Sequence, residues 1–301
     1  MKPTPDPSIA LLERLRHLGR ERGLPAGTML LLYAQQGFLA RLDAGAHASR
    51  FVLKGGLSLF ARYEAAARPT RDIDLAAQGL ENTPQRVADV LLDVLGTPYE
   101  DGLRYDPKSL RVQAQNDGFA YRGVGAKFIA SVGRSQQPMQ LDVSFGNVIT
   151  PEPVILAFPR LLVTQAARVR VYPLETVIAE KFAALAELGV LTTRMKDVYD
   201  LWVISHRETF ASDTLRLALR RSFAARETPW EGIALALSDA FGVDARLENR
   251  WTAYLKRTGF IAPRSFTEVM LDIRSFLNGV VTGVVQGEWK PDVGHWELPK
   301  G

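Results

Sequence analysis

From about residue 8 to 22, and again from 26 to 43, apolar residues recur at three- and four-residue intervals, which predicts two opening helices. The second carries Leu30, Leu31, Tyr33, Ala34, Phe38 and Leu42, and its apolar run from Met29 to Leu42 is interrupted by Gln35, Gln36 and Arg41. Between about 50 and 172 the texture changes to short β-prone runs (FVL, DIDL, LRVQA, AKFIASV, MQLDVSF, VRVY). Turn residues and two helical stretches, near 56–66 and 83–95, separate them. Pro173 suits the first turn of a helix, and from there to about 286 the pattern reads as helix after helix. The end, WKPDVGHWELPKG, reads as an irregular arm. The expected plan is α+β: helices over 1–49 packing on the core, an α/β domain over 50–172 with a short mixed sheet, an all-helical C-terminal lobe over 173–290, and an irregular tail over 291–301.

Composition narrows the chemistry. With 47% apolar and 23% charged residues in 301, the chain has the balance of a globular protein able to bury a core. It contains no cysteine, which excludes disulfide scaffolds, thiolate zinc sites, iron–sulfur clusters and cysteine nucleophiles. No apolar run is long enough to span a bilayer, and MKPTPDPSIA lacks the apolar core of a signal peptide. A cytoplasmic protein with no membrane partner is expected. The net charge is +4 and most of the basic residues are arginine, the better side chain for bidentate phosphate contacts. A GC-rich genome gives the same bias, so charge permits a nucleic-acid partner without demanding one.

The segment KGGLSLFARYEAAARPTRDIDL, residues 54–75, holds the first candidate chemistry. Gly55 and Gly56 lie between a short strand and a helix, where paired glycines let backbone approach a phosphate and the helix N-terminus offers N–H groups. A tight turn would use them equally well. No GK[ST] follows, so this is not a Walker A loop. In a strand Asp72 and Asp74 share one face while Ile73 and Leu75 share the other. Adjacent carboxylates repel, and a divalent cation completed by substrate phosphates would give them a reason to coexist; a solvated edge strand is the alternative. MQLDVSFG repeats the pattern, with Leu141, Val143 and Phe145 on one face and Gln140, Asp142 and Ser144 on the other. Three such aspartates would suit a site that holds metal, polarises a phosphoryl group and activates a hydroxyl.

On the helix after Pro173, Lys181 falls in the middle of the apolar sector formed by Leu174, Val177, Ile178, Leu185 and Leu188. A lysine there must snorkel out or meet negative charge, and phosphates would serve. In RMKDVYDLW, Asp197 and Asp200 are spaced to share one helix face. The four histidines have no metal-ligand spacing, and Arg216, Arg220, Arg221, Arg246, Arg250, Lys256 and Arg257 read as solvated faces more readily than as RNA contacts.

KGG, RPTRDIDL, LDVSFG, the EK helix and RMKDVYDL, in that order over residues 50–203, resemble the AbiEii/AbiGii-type nucleotidyltransferase toxins, including the mycobacterial members of that group. The resemblance implies a polymerase-beta-like nucleotidyltransferase core, a nucleoside triphosphate with Mg2+, and a toxin countered by a cognate antitoxin encoded nearby. Some members of the family add nucleotides to the tRNA 3′ acceptor end, which blocks translation. Carried over, Gly55, Gly56 and Ser58 become the phosphate-cradling turn, with Thr70 close to the active site. Asp72, Asp74 and Asp142 become the metal-binding and catalytic acids, Lys181 grips the triphosphate, and Asp197 and Asp200 match the KDxxD element, Asp200 being preferred as the catalytic one. Relatives often carry a small hydroxyl residue directly after the two glycines; this chain has Leu57 there and Ser58 one place later. A protein or small-molecule hydroxyl as acceptor, or a catalytically silent interaction module, are the competing readings.

Overall fold

The computed structural model describes residues 6–64, 70–115, 123–163, 165–258 and 264–298. The chain forms two units, residues 1–147 with 153–172, and residues 148–152 with 173–301.

In the first unit, helix α1 (Pro7–Glu21) starts with Pro7 at its first position, and Asp6 caps it by accepting from Ser8 N at 2.9 Å. Helix α2 (Ala26–Ala44) is buried along most of its length. Gln35, Gln36 and Arg41, which interrupt its apolar pattern, do not form a polar face: all three are buried, and each ties down a passing segment. Gln35 Nε2 donates to the carbonyls of Thr70 and Arg71 at 3.3 and 3.1 Å, and Gln36 Nε2 to Pro159 O at 2.7 Å. The Arg41 guanidinium grips Asp101 through two bonds of 2.7 and 3.0 Å and donates to the carbonyls of Gly37 and Leu103. Buried polar groups require such partners, and Gly37 makes room for them: a Cβ there would lie 2.3 Å from Leu103 Cδ1 and 2.8 Å from Asp101 Oδ2.

The sheet of this unit is built from β1 (Phe51–Lys54), β2 (Asp72–Ala77), β3 (Arg104–Gln115), β4 (Gly123–Val132), β5 (Ser135–Phe145), β6 (Val154–Ala157) and β7 (Arg168–Val171). Their order is β3-β4-β5-β2-β1-β7-β6. It is mixed: β2 runs parallel to β5 and β1 to β7, while the other neighbours are antiparallel. Ile73, Leu75, Leu141 and Val143 enter the core with α2 and with α4 (Pro84–Gly96), as period-two alternation requires. Helix α3 (Gly55–Tyr63) follows β1 directly.

The second unit contains α5 (Leu174–Leu188), α6 (Met195–Ser205), α7 (Ser212–Arg226), α8 (Trp230–Ala236), α9 (Asp239–Gly242), α10 (Ala245–Thr258) and α11 (Phe266–Thr282). It is not purely helical. Strand β8 (Phe210–Ala211) pairs with β9 (Glu288–Lys290), which pairs with β10 (His295–Glu297), so the tail expected to be irregular contains a hairpin. The physical reason is aromatic: Trp289 is buried against Phe276, its Nε1 donates to Ser205 O at 2.6 Å, and the Trp296 ring stacks on Phe276. Several arginines read as solvated are also structural here. Arg250 donates to the carbonyls of Val190 and Thr192 at 2.7 and 2.9 Å, and Arg216 to those of Val280 and Val285. Among the described residues no helix is long and apolar enough to cross a membrane.

Candidate active site

Register brings the three aspartates of the first unit onto one face. Asp74 on β2 stands opposite Asp142 on β5, and Asp72 stands opposite Gln140. Directly opposed residues point to the same side of a sheet, and the strands are about 4.8 Å apart, so Asp74 and Asp142 are neighbours, with Asp72 two residues along β2 on the same face. The same cross-strand row continues through Lys54 on one side and Gly125 on the other.

Beside this patch the chain turns from β1 into α3. Gly55 has φ +64°, a conformation that L side chains adopt at a cost, and its Cα faces the Asp74 side chain. Gly56 is buried in the same first turn. Ser58 is buried too, and its hydroxyl donates to Gly55 O at 2.8 Å, bracing the turn from inside. Thr70 lies just ahead of β2, where Gln35 holds its carbonyl.

Asp142 has a partner that the sequence does not announce. Gln115, at the end of β3, reaches across Gly125 on β4 and donates from Nε2 to Asp142 Oδ1 at 2.8 Å. A Cβ on residue 125 would lie 2.4 Å from that Nε2, so a side chain there would push the Gln115 amide off this path. Two glycines on the same face of one strand, Gly123 and Gly125, are the signal that points to it.

The donor chemistry of this patch, all carboxylate oxygen, fits Mg2+. Among the described residues no group of three or more His, Cys, Asp and Glu side chains converges as a ready-made cage. Mg2+ typically takes one or two carboxylates and completes its shell with water and substrate phosphates, so the residues present fit a cation shared with a nucleotide.

In the second unit, Lys181 meets negative charge from protein. Its Nζ lies 2.7 Å from Asp197 Oδ1 and 2.7 Å from Asp200 Oδ2, with exposures of 9%, 1% and 3% for Lys181, Asp197 and Asp200. Arg194 Nε also donates to Asp197 Oδ2. Burial alone would push the Asp197 carboxyl up, but Lys181 and Arg194 outweigh it and hold it at about 2. Burial, reinforced by Asp200, raises the neighbouring Tyr199 phenol.

The structure thus brings together Gly55, Gly56, Ser58, Asp72, Asp74 and Asp142 in one unit, with Thr70 leading into β2, and Lys181, Asp197 and Asp200 in the other. Sequence reasoning missed Gln115, Gly125 and Gln35.

The first unit thus carries a glycine turn and three aspartates on one face of its mixed sheet. The chain belongs to the AbiEii family, described as the nucleotidyl transferase AbiEii toxin of type IV toxin–antitoxin systems, whose family model matches residues 37–272. An antitoxin partner follows from that membership. Among solved structures, the chain is similar to JHP933 from Helicobacter pylori at 15% identity and a TM-score of 0.47, over 85% of this chain and 93% of that one. A second H. pylori structure, described as that of a candidate nucleotidyltransferase, gives 15% identity and a TM-score of 0.46 over 87% and 97%. No curated protein sequence matches the chain.

Proposed function

We propose that this protein is a Mg2+-dependent nucleotidyltransferase toxin that moves a nucleotide from a nucleoside triphosphate to RNA, namely the 3′ acceptor end of tRNA, and so blocks translation in the cytoplasm. What supports the reading most is the register that sets Asp74 opposite Asp142, with Asp72 on the same face and Gly55 against Asp74.

In this reading Asp72 and Asp74, with Asp142, hold Mg2+, which supplies charge neutralisation at the phosphate oxygens when bound. The N–H groups at the start of α3, around Gly55 and Gly56, face the triphosphate, with Ser58 bracing the turn and Thr70 close by. Asp142 takes the proton of the acceptor hydroxyl as its oxygen attacks the α-phosphorus. The bond to the β-phosphate oxygen breaks and pyrophosphate leaves. In the second unit Lys181 has the proposed role of binding phosphate, with Asp197 and Asp200 holding its ammonium group in place. A cognate antitoxin encoded nearby restrains the activity.

The test is incubation with total tRNA, Mg2+ and each labelled triphosphate in turn, beside Asp72→Ala. Label on tRNA from the wild type alone is expected. A fully active Asp72→Ala protein would overturn the mechanism, and label on protein or on a small molecule instead of RNA would overturn the acceptor.

A further inference from the structure

We infer that the acceptor RNA lies as a single strand across β4 and β3, with Lys127 and Arg111 binding its backbone phosphates. The inference rests on the nucleotidyltransferase reading above and adds where its second substrate runs.

The direction follows from strand order. Attacking and leaving oxygens stand roughly in line in phosphoryl transfer. The glycine turn that would cradle the departing phosphates lies at the end of β1, and the order β4-β5-β2-β1 puts the aspartates between that turn and β4. A hydroxyl opposite the leaving group therefore enters from the β5 side, over β4 and β3, roughly 5 and 10 Å from the strand of Asp142.

That part of the sheet is built as an open, basic track. On β4 the positions facing the aspartates are Gly123 and Gly125, which raise no side chain, and the next on that face is Lys127. Arg111 stands opposite Lys127 on β3, and Gln140 and Asp72 complete the same row. On this face a cavity of ≈ 60 Å³ is lined by Arg111, Gln113, Lys127, Gln140 and Asp142 among others, and a larger one of ≈ 770 Å³, lined by Thr28 and Leu31 of α2 and by Met139 as well as by Lys127 and Gln140, opens beside it. Lys127 and Arg111 are exposed, and among the described residues neither forms an ion pair with a carboxylate. Arg111 is pinned through Nη1 to the carbonyls of Lys108 and Leu110, both at 2.8 Å, which fixes its guanidinium near the strand. Uncompensated cations beside a face of carboxylates suit a polyanion whose end must reach those carboxylates. The amides of Gln113 and Gln140 add bonding groups without charge.

The test is fluorescence anisotropy of a short, labelled single-stranded RNA titrated with the full chain in the absence of triphosphate, over a range of salt concentrations. The Lys127→Ala/Arg111→Ala double variant should bind at least about tenfold more weakly. Its log K against log salt slope should fall by about 1.4, the value for two lost contacts to a single strand. Its affinity for nucleoside triphosphate should be unchanged. An Arg16→Ala/Arg20→Ala variant on the exposed face of α1 should bind RNA as the wild type does. A Lys127/Arg111 variant with wild-type affinity and slope, or an α1 variant that loses as much, overturns the inference. If the wild type labels tRNA while the Lys127/Arg111 variant labels it equally well, only this track is wrong. A wild type that binds no RNA overturns both the track and the RNA acceptor.

Discussion

Gly55 and Asp74 fit against each other so closely that residue 55 can carry no side chain: a Cβ would stand 2.1 Å from Asp74 Oδ2. The turn that would receive phosphate and the strand that would hold metal are therefore one steric unit, and a change in either moves the other.

Gly55→Ala combines that clash with a backbone at φ +64°, a strain of roughly 1–2 kcal/mol before any contact is counted. Displacement of the Asp74 carboxylate should lower nucleotidyl transfer at least about tenfold. Labelled-product rates beside a circular dichroism spectrum check this, and near-normal activity in a folded Gly55→Ala protein would show that the contact has no part in the reaction.

Gln115→Ala removes the 2.8 Å bond to Asp142. A hydrogen bond to a charged group contributes about 1.5–3 kcal/mol, so transfer should slow by roughly tenfold or more if that bond aims the carboxylate. Gln115→Glu, which puts like charge against Asp142, should slow it further. The circular dichroism spectrum of both should match that of the wild type, because Gln115 is only partly buried and its loss leaves the strands in place.

Asp197 gives acid stability a definite window. Its carboxyl is held at about 2 in the folded chain, against 3.8 for an ordinary aspartate, so its folded pKa is depressed. The stabilisation is complete above about pH 4 and is lost as pH falls through about 2, amounting to roughly 2 kcal/mol. Urea unfolding at pH 6 and pH 2.5 should show this part of the loss in the wild type and lack it in Asp197→Asn.

Lys181→Met leaves the carboxylates of Asp197 and Asp200 buried without their shared ammonium, and should cost about 3–5 kcal/mol of stability. Chemical denaturation measures it. A Lys181→Met protein as stable as the wild type would mean that Lys181 is dispensable to the fold and serves a ligand alone.

Gly37→Ala forces a Cβ to within 2.3 Å of Leu103 Cδ1 at the Arg41–Asp101 pair. Overpacking of this kind costs about 1–3 kcal/mol, so the melting temperature should drop. Transfer per folded molecule should not change, which separates this core contact from the candidate site.

The alternation of DIDL and MQLDVSF was enough to put Asp72, Asp74 and Asp142 on polar strand faces, because period-two patterning is local. Register was not legible: the parallel pairing of β2 with β5 joins segments far apart in sequence, and only their tertiary neighbours fix it. Lys181 stood out because a charge on an apolar stripe is anomalous. Asp197 and Asp200 were legible as one helix face, yet nothing local says that this face and Lys181 meet. Nothing in the local pattern sets Gln115 apart, and Gln35 only interrupts an apolar helix; each acts through a contact with distant chain. The closing hairpin escaped notice because three-residue strands are too short for periodicity to register.

The order in which the sheet closes has a consequence in time. β2 carries Asp72 and Asp74, but its neighbour β5 comes only after α4, β3 and β4 have been made. A growing chain therefore displays two of the three aspartates with an open sheet edge beside them, and gains the third only when β5 pairs across. Non-local parallel pairing is slow to form, and chains fold as they emerge from the N-terminal end. A ribosome that stalls before Ser135 releases a fragment in which the acidic face cannot assemble. On the proposed mechanism, a chain that ends before β5 is therefore inactive however long it persists.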